Sequence, residues 1–286
     1  MLTIDQIKTI VVCGAGTMGA GIAQVAAMSG YNAILYDLQT AALAGSRQRL
    51  EEYLDKAVSK GRMSRSATAD ILQRFSTTGD IEKCQADVVI EAIVERPDIK
   101  KDLFKKLAEV NGPDTIFASN TSSLSISLIA KDIVHPERVA GMHFFNPAPL
   151  MKLVEIVSGD ETAPEVSELL YTLAGKMGKT PVMAKDTPGF IVNRVARHYY
   201  LEAMQIAADG VADYKKIDRL MESAGFRMGP FALMDLIGND VNLAVTRSIY
   251  EAYDKASRFT PSPLQIEKVE EGALGKKTGK GFYNYL

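Results

Sequence analysis

Three glycines near the N-terminus have the spacing of a loop that binds the phosphates of a dinucleotide. Gly14, Gly16 and Gly19 form the pattern G-x-G-x-x-G, which follows an apolar run and precedes a helical pattern. In such a loop the first glycine permits a tight turn, the second lets the backbone approach a pyrophosphate, and the third allows close helix–strand packing. The N–H groups that open the following helix, at Thr17 and Met18, would then bind the phosphates. Alternatively, the glycines form only a turn that joins a strand to a helix.

An acid further along the chain predicts which dinucleotide would bind. Asp37 ends a second apolar run, close to the ~20-residue spacing expected of a ribose-binding acid. Its carboxylate would accept a hydrogen bond from the adenosine 2′-hydroxyl and would repel a 2′-phosphate. No arginine follows it directly, since the next residues are Leu38, Gln39 and Thr40. The sequence therefore predicts NAD as the cofactor, in preference to NADP.

One of the three histidines is placed for acid–base chemistry. His135 lies in a polar turn, and His198 lies in the middle of a helical pattern, so we expect surface or packing roles for both. His143 follows a strand predicted over residues 139–142, at the carboxyl end, where open α/β sheets bind ligands. The residues after it, Phe144 and Phe145, would line the site with apolar surface.

A carboxylate on the next predicted strand could pair with this histidine. Glu155 is flanked by apolar residues in the strand predicted over 153–157. An unpaired charge in a buried strand is costly, so the acid needs a partner. A histidine–carboxylate pair would satisfy it and would fix the imidazole tautomer, as in a catalytic dyad. A structural role for His143 remains the alternative on the residues alone.

Alternating strands and helices would position these residues over the first part of the chain. A long charged helix is predicted over 40–60, after the first two strands. Strands are predicted at 9–13, 33–36, 86–94, 115–118, 139–142, 153–157 and 181–184. Strands that alternate with helices indicate a doubly wound, mostly parallel sheet of the Rossmann type.

The pattern changes at residues 186–189, beyond which β-branched runs disappear. Helices are predicted at 190–209, 215–224, 231–236, 241–254 and 263–271. The sequence therefore predicts two domains, a dinucleotide-binding α/β domain over residues 1–184 and a smaller all-helical domain over 185–286.

Composition and charge exclude several classes of function. The net charge of −2 gives no electrostatic footprint for nucleic acid or an anionic membrane. No apolar run of about 18 residues occurs, and the N-terminus lacks the pattern of a signal peptide. Cys13 and Cys84 have no metal-like spacing and form no disulfide framework, so we expect a reducing, cytoplasmic location and no metal site.

The motifs together resemble the 3-hydroxyacyl-CoA dehydrogenase family along essentially the whole chain. The matching segments are 12–23, 91–95 (EAIVE), 118–124 (ASNTSSL), 143–149 (HFFNPAP), 188–194 (PGFIVNR) and 277–283 (KTGKGFY). The resemblance implies NAD-dependent oxidation of (S)-3-hydroxyacyl-CoA to 3-ketoacyl-CoA, and its reversal, with a short substrate of the 3-hydroxybutyryl-CoA type. It also implies a homodimer formed through the C-terminal domain, which would share in substrate binding.

The resemblance also assigns roles to residues of the site. His143 would be the general base and Glu155 its orienting partner. Ser122 and Asn193 would hydrogen-bond the 3-oxygen of the substrate or support the histidine. Three further residues resemble contacts on the nicotinamide side of the cofactor: Glu95, Lys100 and Asn146.

Two lysines resemble those that meet the phosphates of the CoA nucleotide. Lys56 and Lys60 are one helical turn apart and so share a face of the helix predicted over 40–60. Alternatively, they are solvated lysines of a charged helix.

Two other functions are compatible with a fold of this kind. A β-hydroxyacid dehydrogenase of the 3-hydroxyisobutyrate type would use a lysine of the helical domain as its acid–base residue, and it would oxidise free hydroxyacids. A non-catalytic structural protein of the same fold would bind NADH without turnover. The motif at His143 and the acid at Glu155 favour the acyl-CoA enzyme over both.

Overall fold

The computed structural model describes residues 2–285, and its apolar runs form one sheet of eight strands. The strands are β1 (Thr9–Cys13), β2 (Asn32–Tyr36), β3 (Phe75–Thr78), β4 (Val88–Glu91), β5 (Ile116–Ser119), β6 (Val139–Phe144), β7 (Leu153–Ser158) and β8 (Thr180–Lys185). Their order across the sheet is β3-β2-β1-β4-β5-β6-β7-β8. Neighbouring strands are parallel except for β6 and β7, which are antiparallel. The predicted Rossmann-type, mostly parallel sheet is confirmed.

Helices connect most of these strands. They are α1 (Thr17–Met28), α2 (Thr40–Ser59), α3 (Arg65–Arg74), α4 (Pro97–Val110), α5 (Ile126–Ala130) and α6 (Pro164–Lys176). Helix α1 is almost entirely apolar and packs into the main core with β1 and β2. The strand β3 was not predicted, because three of its four residues are Ser or Thr and only Phe75 is buried.

The prediction for one central strand was wrong in length. The sequence predicted a strand over 86–94, but β4 covers only Val88–Glu91. Beyond Glu91 the chain leaves the sheet, because the Glu91 carboxylate accepts a hydrogen bond from the backbone N–H of Ile93 and closes a turn. That turn places the following residues above the end of the strand.

The strand order reverses at β1, which has β2 on one side and β4 on the other. The registers place Cys13 beside Tyr36 and Glu91, and place Glu91 beside Ser119. The carboxyl ends of these strands therefore meet at one edge of the sheet. In open α/β sheets ligands bind at this edge, where the order reverses. Every loop that follows one of these strands is thus a candidate for the site.

Contacts divide the chain into two compact units, Met1–Thr187 and Pro188–Leu286. The division falls a few residues after the predicted boundary at 184. The cause is Asp186, whose carboxylate accepts hydrogen bonds from the Ser125 hydroxyl at 2.7 Å and the Ser127 backbone N–H at 2.8 Å, within the first unit.

The second unit is helical over its described residues, as the sequence predicted. Its helices are α7 (Val192–Ala208), α8 (Tyr214–Ser223), α9 (Pro230–Ile237), α10 (Asn239–Ala252) and α11 (Pro263–Glu270). Within residues 2–285 of the chain, we find no helix with the length and apolarity that crossing a membrane requires.

Two buried aspartates explain the glycine-rich and aromatic C-terminal segment. The Asp235 carboxylate accepts hydrogen bonds from the backbone N–H groups of Phe282 and Tyr283, each at 2.9 Å. The hydroxyl of Tyr283 donates to the Asp218 carboxylate at 2.8 Å, and burial raises the pKa of this tyrosine far above its usual value. A Cβ at Gly281 would lie 2.1 Å from an Asp235 oxygen, so only glycine fits there.

Candidate active site

The loop between β1 and α1 is shaped by two of its three glycines. Gly14 has a φ of 103°, and a Cβ on it would lie 2.5 Å from the carbonyl oxygen of Ala92. A Cβ on Gly19 would lie 1.8 Å from the carbonyl oxygen of Gly14. Any larger residue would clash with backbone at both positions, so the chain itself requires these glycines.

Gly16 differs, because nothing within the chain requires a glycine at this position. It is exposed, its φ of −67° is open to any residue, and a Cβ on it would meet nothing within 4 Å. Gly16 is the N-cap of α1, and Thr17 and Met18 are the first two residues of that helix. The N–H groups of a first helical turn have no acceptor inside the helix. The missing side chain therefore leaves these donors open to an anionic group from outside, which fits a pyrophosphate.

Asp37 lies directly beside this loop. Its carboxylate accepts hydrogen bonds from the backbone N–H of Ala15 at 2.6 Å and of Gln39 at 2.8 Å. The Ser46 hydroxyl of α2 donates to the Ala15 carbonyl at 3.1 Å, which fixes the loop from its other side. Each carboxylate oxygen can accept more than one hydrogen bond. Asp37 thus retains acceptor capacity for a ribose hydroxyl while it holds the glycine loop in place.

A buried charged network lies at the ends of β4 and β5. Glu91 is fully buried, and its carboxylate accepts hydrogen bonds from the Lys100 ammonium and the Ser119 hydroxyl, both at 2.6 Å. Lys100 is only 1% exposed, so its charge is enclosed within the protein. Sequence reasoning missed Glu91 as a partner. Its position at the end of the apolar run of β4 is the same signal that identified Glu155.

The same lysine holds a second carboxylate that faces solvent. The Lys100 ammonium lies 3.0 Å from a Glu95 oxygen. The Thr121 hydroxyl donates to the Glu95 carboxylate, and the backbone N–H of Ser122 donates to it at 3.2 Å. The structure therefore brings Glu95, Lys100 and Ser122 together at the carboxyl edge of the sheet.

His143 and Glu155 face each other on the antiparallel strands β6 and β7. They are direct register partners, so their side chains lie on the same face of the sheet. The imidazole Nδ1 lies 2.8 Å from the Glu155 Oε2, and the two side chains are 8% and 1% exposed. The Phe145 ring packs 4.5 Å from the imidazole, centroid to centroid. The prediction that the strand ends before His143 was wrong, since β6 continues to Phe144.

Another residue that sequence reasoning did not single out fixes the end of β6. The Asn120 side-chain oxygen accepts a hydrogen bond from the backbone N–H of Phe144 at 2.8 Å. The Asn120 backbone N–H in turn donates to the Glu91 carbonyl at 2.7 Å. Asn120 therefore links the Glu91 network to the strand that carries His143.

The remaining predicted residues belong to other elements of the chain. Asn146 is exposed, two residues after the end of β6. Lys56 lies in the last turn of α2 and Lys60 is its C-cap, and both are exposed. Asn193 belongs to the second unit, where it is the second residue of α7 and its carbonyl accepts a hydrogen bond from Arg197 at 3.2 Å.

The other two histidines have the surroundings that were expected of them. His135 is half exposed, and its ring lies 3.1 Å from the Glu137 carboxylate. His198 is exposed on α7, with its ring 5.3 Å from the Phe259 ring. Among residues 2–285, no group of three or more His, Cys, Asp and Glu side chains is arranged to hold a metal ion.

Sequence models of two domains match the chain in order. The model described as "3-hydroxyacyl-CoA dehydrogenase, NAD binding domain" matches residues 9–187, and the one described as "3-hydroxyacyl-CoA dehydrogenase, C-terminal domain" matches residues 189–285. Both units are therefore accounted for by one family.

Individual relatives give the same result. The chain is 50% identical to the 3-hydroxyadipyl-CoA dehydrogenase of Escherichia coli over 98% of its own length, but spans only 59% of that protein. It is 42% identical to a probable 3-hydroxybutyryl-CoA dehydrogenase of Bacillus subtilis, with 98% of each chain covered.

A solved structure of a 3-hydroxybutyryl-CoA dehydrogenase from Escherichia coli superposes with a TM-score of 0.96 at 49% identity, covering 98% of this chain and 60% of that one. Because both domain models match and the Bacillus subtilis relative is covered over 98% of its length, the chain belongs to the 3-hydroxyacyl-CoA dehydrogenase family.

Proposed function

We propose that this protein oxidises the 3-hydroxyl of short (S)-3-hydroxyacyl-CoA thioesters, such as 3-hydroxybutyryl-CoA, to a ketone with NAD, and catalyses the reverse reduction. The observation that carries the proposal is the buried pair of His143 and Glu155, 2.8 Å apart. This pair lies at the carboxyl edge of the sheet, the edge at which the glycine loop and Asp37 also lie. A proton-transfer group and a dinucleotide-binding loop are the two parts that such an oxidation needs.

The residues around the glycine loop fit NAD. The open backbone at Gly16, Thr17 and Met18 would hold its pyrophosphate, with Gly14 and Gly19 shaping the loop, and Asp37 would hold the adenosine ribose. A carboxylate at that position supports NAD over NADP. When bound, NAD would accept the hydride that leaves C3 of the substrate.

Glu155 would fix which imidazole nitrogen acts as the base. A carboxylate accepts hydrogen bonds and does not donate them, so the Nδ1 that faces it carries the hydrogen. The lone pair of His143 is then on Nε2, which would take the proton from the 3-hydroxyl. The imidazolium that forms keeps its hydrogen bond to the Glu155 carboxylate, which stabilises the new charge. In the reverse direction the same nitrogen would protonate the developing alkoxide.

The other residues would position the substrate and the cofactor. Ser122 and Asn193 would hydrogen-bond the 3-oxygen or support His143, as the family resemblance implies. Glu95 and Asn146 would lie on the nicotinamide side. Because Lys100 is enclosed between two carboxylates, we propose that it acts on the nicotinamide side through Glu95.

The CoA moiety would be held away from the reacting carbon. The exposed lysines Lys56 and Lys60 would meet the phosphates of its nucleotide.

A dimer formed through the helical unit is supported by the exposed apolar side chains Val195, Leu236 and Val241. A cytoplasmic location is supported by Cys13 and Cys84, which are both buried and free.

One spectrophotometric assay tests the proposal. Oxidation of NADH would be followed with acetoacetyl-CoA, with a longer 3-ketoacyl-CoA and with 3-oxoadipyl-CoA, and each would be repeated with NADPH. Turnover that is fastest with acetoacetyl-CoA and NADH would support the proposal. No turnover of the thioesters, with NAD reduced by free hydroxyacids in a parallel measurement, would instead support a β-hydroxyacid dehydrogenase. Binding of NADH without turnover of any thioester would support a structural protein.

A further inference from the structure

The loop that leaves β6 packs onto the helix that would bind the dinucleotide. It includes Asn146 and forms a turn in which the Pro147 carbonyl accepts hydrogen bonds from the backbone N–H groups of Leu150 at 3.0 Å and Met151 at 2.9 Å. Ala148, within this turn, is 1% exposed and belongs to the main core. A Cβ on Gly21 of α1 would lie 3.3 Å from the Ala148 Cβ and 3.1 Å from the Pro149 Cδ. The turn therefore contacts α1 at a position where the helix has no side chain.

A lysine from the turn between α6 and β8 holds this loop from the other side. The Lys179 ammonium donates hydrogen bonds to the Ala148 carbonyl at 2.5 Å and to the Met151 carbonyl at 2.9 Å. The two carbonyls belong to opposite ends of the same turn, so one charged group fixes its width. The Lys179 backbone N–H donates to the Ala174 carbonyl at 3.0 Å, which fixes the lysine itself to α6.

We propose that Lys179 is a positioning residue for the cofactor site: its ammonium holds the Pro147–Met151 turn against α1 and thereby sets the place of Asn146 relative to the phosphate-binding end of that helix. The inference rests on the proposed function, in which Asn146 lies on the nicotinamide side. Gly21 is the complementary part, because its missing side chain lets the turn approach α1. Lys179 and Gly21 are both outside the predicted site, and neither would touch the substrate or the cofactor.

The first test removes the ammonium and then restores it. In Lys179→Met the turn loses both charged hydrogen bonds, and the fraction of molecules with Asn146 in place falls. We expect the dissociation constant for NADH, measured by the fluorescence of the bound cofactor, to rise roughly tenfold or more. Lys179→Arg keeps a forked donor for the two carbonyls and should bind NADH within about threefold of wild type.

A matched control separates this effect from the loss of any surface lysine. Lys176 lies on α6 and forms an exposed ion pair with Asp5 at 2.9 Å. Exposed pairs of this kind contribute little to stability, because water and salt screen the two charges. Lys176→Met should therefore bind NADH as wild type does.

The second test acts on the other face of the turn. In Gly21→Ala the turn must give by a few tenths of an ångström, while alanine favours the helix itself. We expect weaker NADH binding with an unchanged melting temperature. If both substitutions act through the turn, their effects on the NADH dissociation constant should be non-additive in the double variant.

The possible outcomes separate the two proposals. Unchanged NADH binding in Lys179→Met would overturn the positioning role and leave the proposed function standing. If Lys179→Met does not fold, unchanged NADH binding in Gly21→Ala would do the same. A lower melting temperature in both Lys179→Met and Lys179→Arg, with the affinity for NADH intact in both, would also overturn it. Failure of the wild-type protein to bind NADH would overturn both.

Discussion

Replacement of Glu155 by Gln tests the proposed acid–base pair most directly, because it removes the charge and keeps the shape. The distance between the His143 Nδ1 and the Glu155 Oε2 is 2.8 Å, and both groups are nearly inaccessible to water. At an effective dielectric constant of about 20, opposite unit charges at this distance attract by roughly 6 kcal/mol. This value is an upper limit on what the substitution would cost the proposed imidazolium, since the glutamine dipole would replace part of the lost attraction.

The expected loss of rate follows from that limit. Each 1.36 kcal/mol is about a tenfold change in rate, so the full term would correspond to roughly 10⁴-fold. A positioned general base typically contributes about 10²–10⁴-fold. We therefore expect Glu155→Gln to lower kcat by about 10²–10⁴-fold, and His143→Gln to lower it by at least as much. NADH binding should persist in both variants.

The assay is steady-state NADH oxidation with acetoacetyl-CoA, with the NADH dissociation constant measured separately by fluorescence. Glu168→Gln is the matched control, because Glu168 is exposed on α6 and its change should leave kcat unchanged. If Glu155→Gln kept kcat within about threefold of wild type, the carboxylate would have no role in stabilising the imidazolium. The proposed dyad would then be wrong.

Three further predictions concern the cofactor side. Lys100→Met should lower the melting temperature by roughly 6–20 °C, because leaving the buried Glu91 carboxylate without its ammonium partner costs about 3–5 kcal/mol. Calorimetry checks this, and the double variant Glu91→Gln/Lys100→Met should regain much of the loss. Asp37→Asn should reduce the preference for NADH over NADPH in kcat/KM by about tenfold, since the charge that repels a 2′-phosphate is gone, and an unchanged ratio would contradict that role. Gly16→Ala should weaken NADH binding but keep the free energy of unfolding within about 0.5 kcal/mol of wild type. Gly19→Ala should destabilise the protein, because its Cβ would meet a backbone oxygen at 1.8 Å. Equal losses of stability in denaturant titrations of the two variants would refute the distinction.

The sequence alone predicts the features that depend on local patterns. The apolar run of β1, the glycines after it and Asp37 at the end of β2 are close together along the chain, and they indicate a dinucleotide-binding fold without any knowledge of distant contacts. Burial gives a second kind of local signal. An acid inside an apolar strand, as at Glu155, requires a partner, and the facing strand supplies it in His143.

Only the tertiary structure decides how residues far apart along the chain share one environment. The burial of Lys100 between Glu91 and Glu95, and the contact of the Pro147–Met151 turn with Lys179 and Gly21, depend on which strands are neighbours and on their register. The length of β6 was likewise set by pairing with β7 and not by its own residues. Such pairings are non-local, so helical or strand periodicity carries no information about them. The glycine loop could therefore be predicted from its spacing, whereas the groups that hold the rest of the site in place could be identified only from the fold.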